Sequence, residues 1–559
     1  MALGIPALAQ HEHHATPASG QPAISDPEST DWVPPEILER PLPLRTGLGP
    51  VHEAVTTSSK EAQAYYDQGM AYLHSYVWIE AARSFHQALR LDPEMALAYV
   101  GLSRTYSGLT DPQAARTAIQ KAREHLTHAA DWEKQRVELR AQQLDAIADL
   151  DNQEKLAAYR QAIDAALVKR PKDIELLLIR GNAEESQASG RGQRGLATAV
   201  AFYDRVVQLQ PDNPAAHHYL VHNYESLGNP EEAVKHGEIY ARVTPAIAHA
   251  QHMYGHDLQK VNRNDEAVRQ FQKAEDIEQA YYREEHIDVK YDWHHIHNLD
   301  LMSISRAYMG QMKQAEELWR QAFAVPPSAS LWEGYQSKWP EFLLERGRAQ
   351  EALAAAEKLA HGRWPLGRTM GHILAGRAYL RMNQMAQAQA ELDAAEKESA
   401  NIEEVSAEPL LPHPRQMPVF EMSLLKAELA LRSGKPEGEA AIKQLLDKAG
   451  EGFNNADATA ALFLMQLVAE EARGMQKWDL AAHAAEAMLK FDANYAGGHY
   501  AKAWVAGQKG DMATARTEFQ TAERLWASAD PDLYELSQVR QRLAAMHTGG
   551  DPALAPHKD

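Results

Sequence analysis

The chain of 559 residues contains no cysteine. That single absence excludes disulfides, thiolate metal ligands and thiol nucleophiles together, leaving His, Asp, Glu and Met as the side chains able to hold a metal ion. Long apolar runs are also missing, and none approaches the roughly 18 residues needed to cross a bilayer. Positive charge is scarce, with 57 Lys and Arg against 77 Asp and Glu and a net charge of −20. A phosphate backbone is bound by Lys and Arg that neutralise it, so nucleic acid is set aside as a partner. No hydrolase elbow, phosphate loop or paired-Gly dinucleotide turn occurs, and the basic loop "RGQRG" follows no strand. Aromatic residues make up only 8% of the chain against 45% hydrophobic residues in all.

What the chain does contain is a repeat. From Tyr65 to Pro93, Gly69 and Tyr72 mark a first helix, Ala81, Phe85 and Ala88 a second, and Pro93 closes the unit. Gly and Ala admit close helix approach, aromatic rings fill the gaps, and Pro prevents continuation. The frame returns with Tyr99, Leu102, Tyr106, Ala115 and Ala122, with Leu220, Tyr224 and Ala233, with Gly255, Ala267, Phe271 and Ala274, and with Ala503, Gly510, Ala515, Phe519 and Ala522. Two histidine pairs, His218 with His222 and His252 with His256, are each spaced i, i+4 and lie 34 residues apart. Pattern and period resemble the tetratricopeptide repeat. The predicted fold is all-α, a tetratricopeptide-type right-handed helical solenoid with inserted loops, its core made continuous by stacking.

The organisation reads as a signal-peptide remnant with a disordered or docking segment over 1–57, then N-terminal repeats over 58–128 and a central solenoid over 129–325. Divergent repeats with Pro-rich loops occupy 326–416, a C-terminal repeat segment with a capping helix 417–545, and a tail 546–559. His11, His13 and His14 form a short His-rich tract near the start, read first as a solvated tail and second as a metal scavenger.

In a tetratricopeptide unit the resemblance implies that positions 2, 5, 9 and 12 of the first helix line a concave groove. Counting back from Ala233 places His218, His222 and Glu225 at 5, 9 and 12, and counting back from Ala267 places His249, His252 and His256 at 2, 5 and 9. The next unit, framed on Gly310 and Ala315, places His297 and Asp300 at 2 and 5, while Tyr308 breaks its pattern. His217 falls at a packing position and His236 outside the frame. His74 sits where it can face the groove only if the superhelix curls far enough, Glu80 reads as a solvated charge, and Trp293 is the tryptophan nearest the histidines.

Six groove imidazoles on three adjacent repeats point to a transition-metal site. His218, His222, His252 and His256 form the expected ligand set, with His249 and His297 extending it to a second ion or orienting the ligands. Copper or zinc suits an all-imidazole site. Three protein ligands and an open position would support a metal-dependent oxidase, oxygenase or hydrolase, four a structural or carrier role, and the sequence does not count them. The competing reading is a scaffold that holds an extended peptide or protein segment in the groove, with no metal.

The runs "GLGPVHEAVTTSSKEAQAYYDQGMAYLHSYVW", "AAHHYLVHNYES", "AIAHAQHMYGHDL" and "HHIHNLDLM" resemble a family of exported bacterial tetratricopeptide-repeat proteins with histidine runs, from about Gly47 to Leu536. The resemblance implies fold and export, and no reaction. The chain departs from it in "DPEMALAYVGLS", where a Cys and a Trp are expected. Ala7-Leu8-Ala9 before Gln10 matches a secretory cleavage pattern, so the expected location is periplasmic or otherwise extracytoplasmic.

Overall fold

The computed structural model describes residues 33–149, 152–185, 196–327, 330–402, 417–452 and 459–547. The Ala7-Leu8-Ala9 pattern, the His11, His13 and His14 tract, the run 189–195, most of the Pro-rich run 408–418 and the C-terminal tail lie outside these residues. Every regular element among the described residues is helical. A single turn, α1 (Pro35–Leu38), precedes antiparallel pairs: α2 (Lys60–His74) with α3 (Trp78–Leu91), α4 (Ala96–Gly108) with α5 (Pro112–Glu124), and α6 (Asp131–Ile147) with α7 (Gln153–Lys169). Then come α8 (Ile174–Asn182) with α9 (Ala197–Leu209), α10 (Pro214–Ser226) with α11 (Pro230–Val243), α12 (Ala248–Lys260) with α13 (Asn264–Glu285), and α14 (Trp293–Tyr308) with α15 (Met312–Ala324). Helical pairs continue to a last helix at Tyr534–His547. This is a tetratricopeptide-type helical solenoid, and no described helix is long and apolar enough to cross a membrane.

Local chemistry sets the register. Asn213 accepts a hydrogen bond from the Ala216 amide at 2.9 Å and Pro214 occupies the first helical position, so α10 begins at a defined residue. Several of the turns inside these pairs use one residue of positive φ, and this position recurs at a 34-residue interval in Tyr76 and Thr110, in Gly228 and Asn262, and in Gln476 and Gly510. Glycine or asparagine accepts that conformation readily, whereas a tyrosine at φ 57° costs about 1–2 kcal/mol. Tyr76 is therefore held by its surroundings.

Phe85 shows why the repeat positions matter. Its ring is fully buried, and a Cβ placed on Gly69 or Gly101 would come within 2.6 or 2.4 Å of it. Glycine on both flanking helices is what admits the ring. The same relation holds between Gly255 and Phe271.

Distant segments then close the curve. The Ala246 amide donates to the Gly47 carbonyl at 3.0 Å, and Arg83, fully buried, meets Glu285 at 2.7 Å. From the other end, Asp530 N donates to Gly310 O at 3.1 Å, and Tyr308, out of place in its own repeat, donates its hydroxyl to Asp492 at 2.6 Å. These contacts tie the first repeat to the ends of α11 and α13, and the last repeats to the end of α14.

Candidate metal centre

The six predicted histidines come together. Ring centroids link His218 to His222 at 4.9 Å and to His249 at 4.9 Å, His249 to His252 at 5.9 Å, and His252 to His256 at 6.3 Å and to His297 at 4.9 Å. Four of them are buried rather than lining an open groove as expected, and His222 and His297 are half-buried. His218 and His252 are at most 1% exposed, and His249 and His256 are buried, because Tyr76 from the first repeat lies 4.5 Å from the His218 ring and Trp293 lies 5.8 Å from His249. Trp332 and Tyr335 close the His297 end at 5.9 and 5.8 Å. The overturned expectation came from treating the repeats as an open array, whereas the superhelix folds its first turn onto its fifth pair.

The closest convergence is at His218, whose Nε2 lies 3.1 Å from His222 Nε2 and 3.0 Å from His249 Nε2. The other nitrogen of His218 is 2.6 Å from the His74 carbonyl. A carbonyl only accepts, so Nδ1 carries the proton and Nε2 presents a bare lone pair. One in-plane lone pair accepts one N–H well, yet two imidazoles approach it. The Nδ1 of His249 is buried without a hydrogen bond.

His252 obeys the same logic. Asn298 donates its amide N–H to the Phe271 carbonyl at 3.1 Å, which turns its oxygen toward His252 Nδ1 at 3.0 Å. That nitrogen must donate, and Nε2 is left as the lone-pair atom. His256 Nδ1 lies 2.5 Å from Glu225 Oε1, and its Nε2 is buried with no hydrogen bond. His294 directs Nδ1 to Glu278, with its Nε2 likewise unpartnered, and its ring lies 4.5 Å from His252 and 5.0 Å from His249. Three rings, those of His218, His252 and His294, thus have one nitrogen hydrogen-bonded to an oxygen, the arrangement that orients imidazole for ligation, and His256 Nδ1 faces Glu225 without a hydrogen bond.

Burial sets the charge state. Burial, then neighbouring imidazoles, holds His218, His249 and His252 well below the ordinary imidazole range. Burial brings His222 down to about 4 against the pull of Glu225, and burial with His256 and His294 brings His297 down to about 3. His294 is the exception: burial lowers it, but the Glu278 carboxylate outweighs burial and raises it. Glu225 is pushed up by burial and pulled further down by His256 and Lys260, so it stays ionised. Its neighbour Asp257 is raised far above the carboxylate range by burial and by Glu225 itself.

Several positions differ from the sequence reading. His294 joins the cluster although only His297 and Asp300 were counted on α14, and Asp300 accepts from Trp319 Nε1 at 2.8 Å, tying α14 to α15. Glu80 is not a solvated charge: it is 7% exposed, and burial raises its pKa to about 8. His74 does face inward, 2.8 Å from both Tyr219 Oη and Glu175. His217 pairs with His236 at 2.8 Å, away from the cluster. The signals for the missed residues were present but weak: Asp292 caps α14 by accepting from the His294 amide at 2.9 Å, and Tyr76 shares the positive-φ position of the glycines.

A cavity of about 110 Å³ reaches this cluster, lined among others by Tyr76, Glu80, His249, Glu278, Trp293 and His294. The arrangement offers convergent neutral nitrogens, a carboxyl close to neutral pKa, and space beside them.

No family model and no curated protein sequence matches the chain. Solved structures similar to it include a tetratricopeptide repeat protein from Parabacteroides merdae, at 16% identity over 47% of this chain and 93% of that one, with a TM-score of 0.33. A chain of the APC/C hetero-tetramer Cut9–Hcn1 aligns at 14% identity over 86% of this chain and 76% of its own, with a TM-score of 0.32. A monomeric mutant of IFIT1 with Gppp-AAAA aligns at 12% identity over 84% and 92%, with a TM-score of 0.32.

Proposed function

We propose that the buried histidine cluster is a transition-metal centre. One ion is held by the Nε2 atoms of His218, His222 and His249, and His252, His256, His294 and His297 form an adjoining position for a second. The observation that carries this reading is the pair of 3.0 and 3.1 Å approaches to the single lone pair of His218 Nε2. Hydrogen bonding alone satisfies one of them; a cation satisfies all three nitrogens at once. Buried imidazole nitrogens without partners at His256, His294 and His297 support the adjoining position, since orphaned buried polar atoms are costly.

Copper or zinc fits an imidazole set. With three ligands the ion keeps an open position, and in that state copper supplies redox chemistry and zinc a hydroxide near neutral pH. Glu80, Tyr76 and the adjoining cavity lie where a substrate or water would approach. A metal-dependent oxidase, oxygenase or hydrolase is therefore the reaction class we assign. The absence of cysteine and the Ala7-Leu8-Ala9 pattern support an extracytoplasmic location, checked by fractionation and by an amino terminus at Gln10.

Titration of metal-free protein with Cu(II) and Zn(II) tests the site. His222→Ala and His249→Ala are expected to weaken binding at least tenfold with unchanged helicity, while His236→Ala, paired with His217 elsewhere, leaves it intact. Equal affinity in all three variants would overturn the assignment and favour a metal-free scaffold.

A further inference from the structure

A second cavity, of about 500 Å³, opens among α2, α4, α6 and α8 and shares only Tyr76 and Trp78 with the smaller one. Its walls are mostly apolar, from residues such as Met70, Leu73, Leu97, Val100 and Leu144. Its charge is lopsided. The lining includes Arg104, Arg116, Arg136 and Arg140 but a single carboxylate, Glu175.

Most of these arginines have a counter-charge. Arg104 pairs with Glu175, Arg136 lies 3.0 Å from Asp173 and 3.3 Å from Glu53, and exposed Arg116 is 3.7 Å from Asp145. Arg140 is different. It is 5% exposed, and its hydrogen-bond partners among the described residues are all neutral: Ser103 Oγ at 3.0 Å, Ser103 O at 2.9 Å, Ser107 Oγ at 2.5 Å and Gln143 Oε1 at 2.6 Å. Those bonds use four of the five guanidinium N–H groups and leave one on Nη1. Arg104, whose charge disfavours that of Arg140, shares the one lining carboxylate, Glu175, with His74, which lies 2.8 Å from it. A buried guanidinium without a counter-ion is costly unless one arrives.

We infer that this cavity is a binding site for a small organic monoanion, an apolar body with one carboxylate or sulfonate, whose charge is met by Arg140 and Arg104. The volume lies in the range of sites that enclose small organic ligands, and apolar walls with a few convergent polar groups are the usual form of such sites. A carboxylate or sulfonate also matches the planar, forked donors of arginine. The inference uses none of the metal-binding histidines and stands or falls separately from the metal centre.

The test compares two fluorescent probes of like shape: 1-anilinonaphthalene-8-sulfonate, which is anionic, and N-phenyl-1-naphthylamine, which is neutral. The anionic probe is expected to bind the full chain at one equivalent and to be displaced by 1-naphthoate. Arg140→Gln should weaken it at least tenfold and change the neutral probe less than twofold. Ser107→Asp, which places a carboxylate beside Arg140 while keeping the guanidinium, should weaken the anionic probe likewise, and covers the case in which Arg140→Gln does not fold. Val100→Trp fills the cavity and should abolish both signals. The inference is overturned if the anionic probe survives Val100→Trp, or if Arg140→Gln and Ser107→Asp reduce both probes equally.

Discussion

The protonation of the His218, His222 and His249 trio gives a direct test of burial at the proposed centre. A metal competes with protons for the imidazole lone pair, so lowering the pH weakens binding only once the rings begin to protonate in the metal-free protein. An exposed histidine has a pKa near 6.5, and at pH 5.5 about one ring in eleven is neutral; for three independent ligands the affinity falls about a thousandfold relative to pH 7.5. In this structure burial brings His222 to about 4 and holds His218 and His249 well below 6.5. With a pKa of about 4, His222 stays about 97% neutral at pH 5.5, and with His218 and His249 also held well below the ordinary range the combined loss is far smaller than a thousandfold. The sign follows: a depressed imidazole pKa favours the neutral, ligating form, and proton competition moves from the window around pH 6.5 to well below it. Competition titrations of Zn(II) at pH 7.5 and 5.5 against a chelator of known proton affinity measure the ratio. A thousandfold loss would show that the rings are solvated in the metal-free protein, and the closed cluster described here would be wrong.

Three further outcomes follow from other parts of the molecule. Asn298→Leu removes the acceptor that fixes the His252 tautomer and should lower metal affinity about 10- to 100-fold without loss of helicity, read by titration and circular dichroism. Phe85→Ala empties a fully buried site between two glycines that cannot fill it and should cost about 3–5 kcal/mol in urea unfolding. Glu80, raised to about 8 by burial, is neutral in the folded state and ionised in the unfolded state between pH 4.5 and 8, so its penalty grows as pH rises through that window. Glu80→Gln should therefore become more stable relative to the native protein by about 1 kcal/mol per pH unit from pH 5 to 8, and a pH-independent difference would contradict the assignment.

The fold was written plainly in the chain because its signals are local. Gly69, Tyr72, Ala81 and Phe85 reveal a helix pair through size alone, and the 34-residue period needs no knowledge of distant contacts. Spacing also put His218, His222, His249, His252 and His256 on one face, since i, i+4 positions coincide wherever the helix lies. Burial was another matter. It depends on Tyr76 returning from the first repeat, on Trp332 arriving from beyond α15, and on Arg83 reaching Glu285 across more than two hundred residues of sequence. His294 escaped for a related reason: α13 runs for 22 residues and a 3-10 turn at Val289–Tyr291 precedes α14, so the fixed period no longer counts the register there. Glu80 was misread because a carboxylate on a helix is ordinarily solvated, and only tertiary packing shows otherwise.

Metal content tests the central claim most directly. Protein isolated from cells supplied with copper, zinc, iron and manganese, and analysed for all four elements beside X-ray absorption of the bound metal, should carry about one or two equivalents of copper or zinc with imidazole nitrogen scatterers. The His218→Ala variant should lose the ion at the three-histidine position. Less than about a tenth of an equivalent of any metal, or a bound metal surrounded by oxygen rather than imidazole, would contradict the account.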